Sequence, residues 1–217
     1  MFSRHELVWL SSQGWLAARA AALPGQLEAF ERWQRADWPL VVRRNDAGMG
    51  ADSVSLGLAL PPDADGRKVR IALRALRSEV SRTLPALALD AVHGAAPAAW
   101  KAGLAALDAQ AQGLAVRVYG SLALQALTGQ AYLTPASDID LLFYPASVAQ
   151  LQAGVALLSA HAALLPLDGE IVFPSGQAVA WKEWAGARHD AARVLAKTRD
   201  AVHLASCAAL LSTLEEA

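Results

Sequence analysis

Apolar and polar positions alternate through three early stretches, PLVVRR (39–44), SVSLGLALP (53–61) and RKVRIALR (67–74). A period of two predicts strands that bury one face. Turn-forming clusters separate them, Asn45-Asp46-Ala47-Gly48 and Pro61-Pro62-Asp63-Ala64-Asp65-Gly66. Ahead of these strands, residues 15–36 follow helical spacing with an interruption at Pro24-Gly25. From Ser78 the texture becomes rich in alanine and leucine, which predicts helix, punctuated at His93-Gly94-Ala95-Ala96-Pro97.

The later pattern has a definite order. A short strand, AVRVY (115–119), runs into Gly120-Ser121 and a helix, LALQALTG (122–129). The loop QAYLTPA precedes a strand at 138–144, DIDLLFY, which Pro145 stops. Ser147 is placed to cap a helix over about 148–165. LDGEIVF (167–173) and QAVAWKEW (177–184) flank Pro174-Ser175-Gly176 and predict a hairpin, and helix is expected from about 188 to 214. The expected fold class is α/β (α+β): a mixed sheet flanked by helices over 78–217, preceded by a smaller N-terminal α+β domain over 1–77.

Composition narrows the function. The 217 residues are 54% hydrophobic and mean hydropathy is positive, enough to build a sizeable core. No run of about eighteen apolar residues predicts a membrane span, and the N-terminus MFSRHELVWL lacks the layout of a signal peptide. One cysteine excludes an internal disulfide and a Cys-based zinc cluster. The expected compartment is the cytoplasm. Formal net charge is −1, without a basic block longer than Arg43-Arg44, which argues against a nucleic-acid substrate.

The chemistry concentrates on the acidic strand. Asp138 and Asp140 fall on one face of 138–144, with Ile139, Leu141 and Phe143 on the other. Two carboxylates so placed repel each other unless a cation lies between them. Oxygen ligands suit Mg²⁺, which combines carboxylates with water and substrate phosphate oxygens. Asp168 and Glu170 alternate in the same way; Glu170, deeper in its strand, is the chosen third ligand, and Asp168, beside Gly169, is taken as a turn residue. Gly120-Ser121, between strand and helix, aims backbone N–H groups and a hydroxyl at an anion. Lys182 alternates on its strand within reach of a phosphate. Arg43 and Arg44 point to opposite faces, so at most one serves a shared site, and a helix surface is a sufficient account of Lys197.

Gly-Ser, then Asp-x-Asp, then a further acidic strand resembles the nucleotidyltransferase superfamily that includes DNA polymerase beta. RHELVWL (4–10), WPLVVRR (38–44), GSLALQALTGQAYLTPASDIDLLF (120–143) and DGEIVFPSGQAVAWKEW (168–184) together resemble the malonate decarboxylase holo-acyl-carrier-protein synthases. These are also called phosphoribosyl-dephospho-CoA transferases. The resemblance implies that a triphosphoribosyl-dephospho-CoA donor loses diphosphate as a serine of the apo acyl-carrier subunit attacks its α-phosphorus. Asp138 and Asp140 are then the catalytic, metal-binding acids, with Gly120 and Ser121 at the donor phosphates. The N-terminal domain is a candidate for holding donor or acceptor. Two other readings fit the same residues: transfer of a nucleoside monophosphate from ATP to a hydroxyl, and a carrier-binding module without chemistry.

Overall fold

The computed structural model describes residues 2–187 and 192–215. The chain divides into two compact units, Met1–Ala86 and Leu87–Ala217. Mixed α/β architecture is present in both.

The first unit is a five-stranded antiparallel sheet with two helices. Its elements are β1 (Leu7–Leu10), α1 (Ser12–Ala20), α2 (Leu27–Arg35), β2 (Leu40–Val42), β3 (Ser53–Ala59), β4 (Arg70–Leu76) and β5 (Val80–Leu84), with spatial order β4-β3-β2-β1-β5. Ser11 caps α1 by accepting from the Gly14 N–H at 3.2 Å. The interruption expected at Pro24-Gly25 is a single 3₁₀ turn, Pro24–Gln26, between the helices. Trp15 meets Phe30 at 6.1 Å between ring centroids, and the Trp33 indole N–H donates to the Pro39 carbonyl. Each buried large side chain contributes about 1.5–3 kcal/mol of transfer free energy.

β5 corrects the sequence expectation, which had helix from Ser78. β1 is buried along its whole length, LVWL, and would otherwise leave one edge unpaired in the interior. Residues 80–84 supply that edge, pairing Leu7 with Leu84 and Val8 with Thr83. A partner more than seventy residues away in sequence overrides local propensity.

The second unit is a seven-stranded sheet of order β12-β11-β10-β9-β8-β7-β6. Its elements begin with β6 (Leu87–Ala88), α3 (Ala98–Gln110), β7 (Val116–Tyr119), α4 (Gly120–Thr128) and β8 (Ile139–Phe143). There follow α5 (Val148–His161), β9 (Leu167–Val172), β10 (Ala178–Ala180), α6 (Trp181–Gly186), β11 (Arg193–Lys197), β12 (Val202–Ser206) and α7 (Cys207–Leu211). Ser147 caps α5 as expected, accepting from the Gln150 N–H. β8 and β9 are parallel and α5 is their crossover; the other neighbours are antiparallel. Val118, Ile139, Leu141, Phe143, Ile171 and Val194 join Leu104, Leu107, Leu151 and Leu158 of the helices in one core. No helix among the described residues is long and apolar enough to cross a membrane.

Two further expectations are overturned here. QAVAWKEW does not continue as strand: β10 stops at Ala180 and α6 begins at Trp181. Glu183 of α6 accepts the Leu195 N–H at 2.8 Å, tying that helix to β11. The helix expected over 188–214 is replaced, from Arg193, by the β11–β12 hairpin and the short α7; residues 188–191 lie outside those described. RVLAK alternates exposed and buried positions, and the Thr198 hydroxyl accepts from the Asp200 and Ala201 N–H groups to close the turn. Alanine and leucine content masked that alternation.

Candidate active site

Three elements bring the acidic residues together. Tyr119 of β7 lies opposite Asp140 of β8, and Asp140 lies opposite Asp168 of β9. Residues in register share a face, so Asp138, Asp140 and Asp168 project to the same side of the sheet. One carboxylate oxygen from each lies within 4.8 Å of the others; Asp138 is exposed and the other two are half-buried.

The backbone around the group is specialised to permit this approach. Gly120 opens α4 with φ of +70°, and a Cβ there would stand 1.9 Å from Asp140 Oδ2. Only glycine allows both the left-handed backbone and the carboxylate's contact. Gly169 has φ of +134°, and a Cβ would lie 1.9 Å from the Leu141 carbonyl oxygen, so a side chain would push β9 away from β8. The loop leading to Asp138 is pinned as well. Gln125 of α4 accepts from the Tyr132 and Leu133 N–H groups, each at 3.1 Å, and donates to the Ala95 carbonyl. Ser137 Oγ accepts from the Thr134 N–H at 2.9 Å, and Ile139 N–H donates to the Pro166 carbonyl.

Asp138 and Asp140 thus come together with the Gly120 backbone against Asp140, and Ser121 follows in the first turn of α4. The third acid there is Asp168, which sequence reasoning assigned to a turn. Its signal was the shared alternation with Glu170; what no sequence pattern supplied was the parallel register that sets Asp168 against Asp140. Glu170, chosen as the third ligand, lies opposite Leu142, is 5% exposed, and accepts from Lys197 Nζ at 2.9 Å. Its carboxylate serves an internal ion pair rather than joining the group of three. Lys182 sits in the first turn of α6 instead of on a strand, with Nζ 3.6 Å from Asp168 Oδ1. It reaches the acidic group by a different element from the one expected. Arg43 and Arg44 belong to the other unit, where Arg43 bonds both carboxylate oxygens of Asp46 at 2.7 Å.

The donor set is all oxygen, with one neighbouring ammonium. That is the chemistry of a hard divalent cation, and the carboxylates fit Mg²⁺.

Comparisons with known proteins agree across the chain. The family model described as "Phosphoribosyl-dephospho-CoA transferase MdcG C-terminal domain" matches residues 75–208, and the corresponding N-terminal domain model matches 3–86. A phosphoribosyl-dephospho-CoA transferase of Xanthomonas campestris pv. campestris (strain 8004) is 43% identical over 208 residues, covering 94% of each chain. Its namesake from Xanthomonas euvesicatoria pv. vesicatoria (strain 85-10) is 40% identical over 97% of each. One from Bradyrhizobium diazoefficiens (strain JCM 10833 / BCRC 13528 / IAM 13628 / NBRC 14792 / USDA 110) is 39% identical over 83% of this chain and 80% of its own. No solved structure gives a significant match. On the strength of both domain models and full-length relatives, the chain belongs to the phosphoribosyl-dephospho-CoA transferase family.

Proposed function

We propose that this protein transfers the phosphoribosyl-dephospho-CoA group from its triphosphoribosyl donor to a serine of the apo acyl-carrier subunit of malonate decarboxylase, at the acidic group on β8 and β9. The observation that carries the placement is the convergence of three carboxylate oxygens within 4.8 Å beside the Gly120-Ser121 turn. The transfer forms a bond between the serine Oγ and the α-phosphorus and breaks the bond to the leaving diphosphate.

Asp138, Asp140 and Asp168 are the residues that would hold Mg²⁺, which when bound supplies neutralisation of phosphate charge. The backbone N–H groups opening α4 and the Ser121 hydroxyl bind donor phosphate oxygens, aided by the helix dipole. Asp140, which lies against the Gly120 backbone, takes the proton of the attacking hydroxyl. Lys182 presents an ammonium beside Asp168 for the charge that grows on the diphosphate. Gln125 and Ser137 hold the loop that sets Asp138 in place.

The test is the intact mass of the apo carrier subunit after incubation with the protein, Mg²⁺ and the donor, beside a reaction containing ATP alone. A gain equal to the prosthetic group, absent for Asp138→Ala, is expected. A gain with ATP alone would replace this reading with nucleotidyl transfer. No gain in either reaction would remove the carrier subunit as acceptor.

A further inference from the structure

The first unit carries a cleft of its own. It has a volume of about 270 Å³ and lies between the end of α1, the start of α2 and β4. Its walls are small or apolar: Ala18 of α1, Ala21 and Ala22 just beyond its end, Phe30 of α2, and Ala72 and Leu73 of β4. The space exists because alanine occupies four of these positions; larger side chains would fill it.

The polar groups at its rim are nearly all donors. Asp46 is the one carboxylate there, and both its oxygens are occupied, by Arg43 Nη1 and Nη2 at 2.7 Å and by Arg74 Nε at 2.8 Å. Arg43 is further committed to the Leu56 and Arg44 carbonyls. Arg74 is not. Its Nε is anchored on Asp46, while its two terminal nitrogens donate to no protein group among the described residues. Gln26 resembles it: Oε1 accepts the Leu23 N–H, and the amide nitrogen has no protein acceptor among the described residues. A guanidinium fixed through Nε presents its outer edge as a preorganised fork, suited to two oxygens of a phosphate. The two arginines exceed Asp46 by one positive charge.

We propose that this cleft binds an organic phosphate, its phosphate on the Arg74 fork and the Gln26 amide, its less polar body against the alanines and Phe30. The volume suits one ring or short chain with its phosphate, and not a whole coenzyme A. The source is either part of the transferase's own donor or a separate effector. The site does not depend on the assignment of the transfer reaction.

Binding is measured by calorimetry on the full chain with EDTA and Asp138→Ala present, so that the acidic group contributes nothing. The probes are dephospho-CoA, 4′-phosphopantetheine and adenosine 5′-monophosphate. At least one is expected to bind, with affinity falling about tenfold or more in Arg74→Met and in Ala22→Leu, which fills the cleft. Arg70→Met, an exposed cation on the same strand but outside the cleft, is expected to bind as the parent does. Arg74→Met separates the sources in the transfer assay with the acidic residues intact: a raised KM for the donor at unchanged kcat marks the donor, an unchanged KM a separate effector. No binding of any probe, or equal losses in Arg70→Met and Arg74→Met, overturns the proposal. So does full affinity in a folded Ala22→Leu protein. None of these results bears on the mass gain of the carrier subunit, which tests the transfer reading separately.

Discussion

Asp46 in the first unit and Asp168 in the second are both half-buried carboxylates next to a cation, yet their surroundings differ in kind. Asp46 has a guanidinium on each oxygen, and those hydrogen bonds, from Arg43 first and Arg74 second, hold its carboxyl down to about 2. Asp168 has two other aspartates within 4.8 Å and one ammonium at 3.6 Å. The first cluster carries its own counter-charge; the second is short of it. Basic residues outnumber acidic ones twelve to nine in Met1–Ala86 and fall behind seven to eleven in Leu87–Ala217. On the reading proposed above, that deficit is what a cation from outside the chain would fill. Both clusters are rich in charge, and the deficit is what sets the second apart.

The sharpest test of that distinction reduces the deficit. Asp140→Asn is expected to lower transfer about 10³-fold while the far-UV circular dichroism and thermal midpoint stay near the parent's. Full rate in Asp140→Asn with metal bound would end the assignment of the acidic group as the reaction centre. Gly120→Ala comes next. Its Cβ collides with Asp140 Oδ2 and its φ of +70° is strained for alanine, so transfer should fall about 10²-fold with a loss of about 1–3 kcal/mol in stability. Unchanged kinetics in that variant would show that the close approach of Gly120 and Asp140 has no part in catalysis.

The order of β7, α4 and β8 was legible because each has a local signal: alternation, Gly-Ser at the junction, Pro145 after the strand. The approach of Asp138, Asp140 and Gly120 to one another was legible for the same reason. What was not legible depends on partners distant in sequence. β5 is strand because β1 needs an edge, and Asp168 joins the site because β9 pairs with β8 in one particular register. Glu170 shows the limit well. Its spacing from Asp168 put it on the correct face, but its fate was decided by Lys197 on β11, a strand that alanine-rich composition disguised as helix.

Glu170 also places a structural acid in the unit that carries the candidate site. Lys197→Met would leave its carboxylate buried at 5% exposure without that ammonium. Because Lys197 is itself one-third exposed, the expected loss is about 2–3 kcal/mol, below the full cost of breaking a wholly buried pair. Lys197→Met combined with Glu170→Gln should recover most of it, measured by urea unfolding. No recovery would mean that Lys197 stabilises through packing of its stem and that Glu170 is indifferent to it.

Asp46 gives the smallest effect and a signed one. Its folded pKa lies at about 2, below the ordinary carboxylate value of 3.8, so the folded state favours the ionised form. The stabilisation is therefore fully present above about pH 4 and is lost as pH falls towards 2. The side chain is 27% exposed, and solvent screening reduces the contribution to on the order of 1 kcal/mol. Hydrogen exchange over residues 40–59, which hold β2, β3 and the turn carrying Asp46, reads this locally and independently of the second unit. Between pH 4.5 and 2.5, once the chemical pH dependence of exchange is divided out, the parent should lose protection there. Asp46→Asn should begin less protected and change less. If the two proteins lose protection in parallel, the Arg43–Asp46–Arg74 cluster contributes nothing to the fold through its charge, and Asp46 would then serve only to aim Arg74 at whatever the cleft receives.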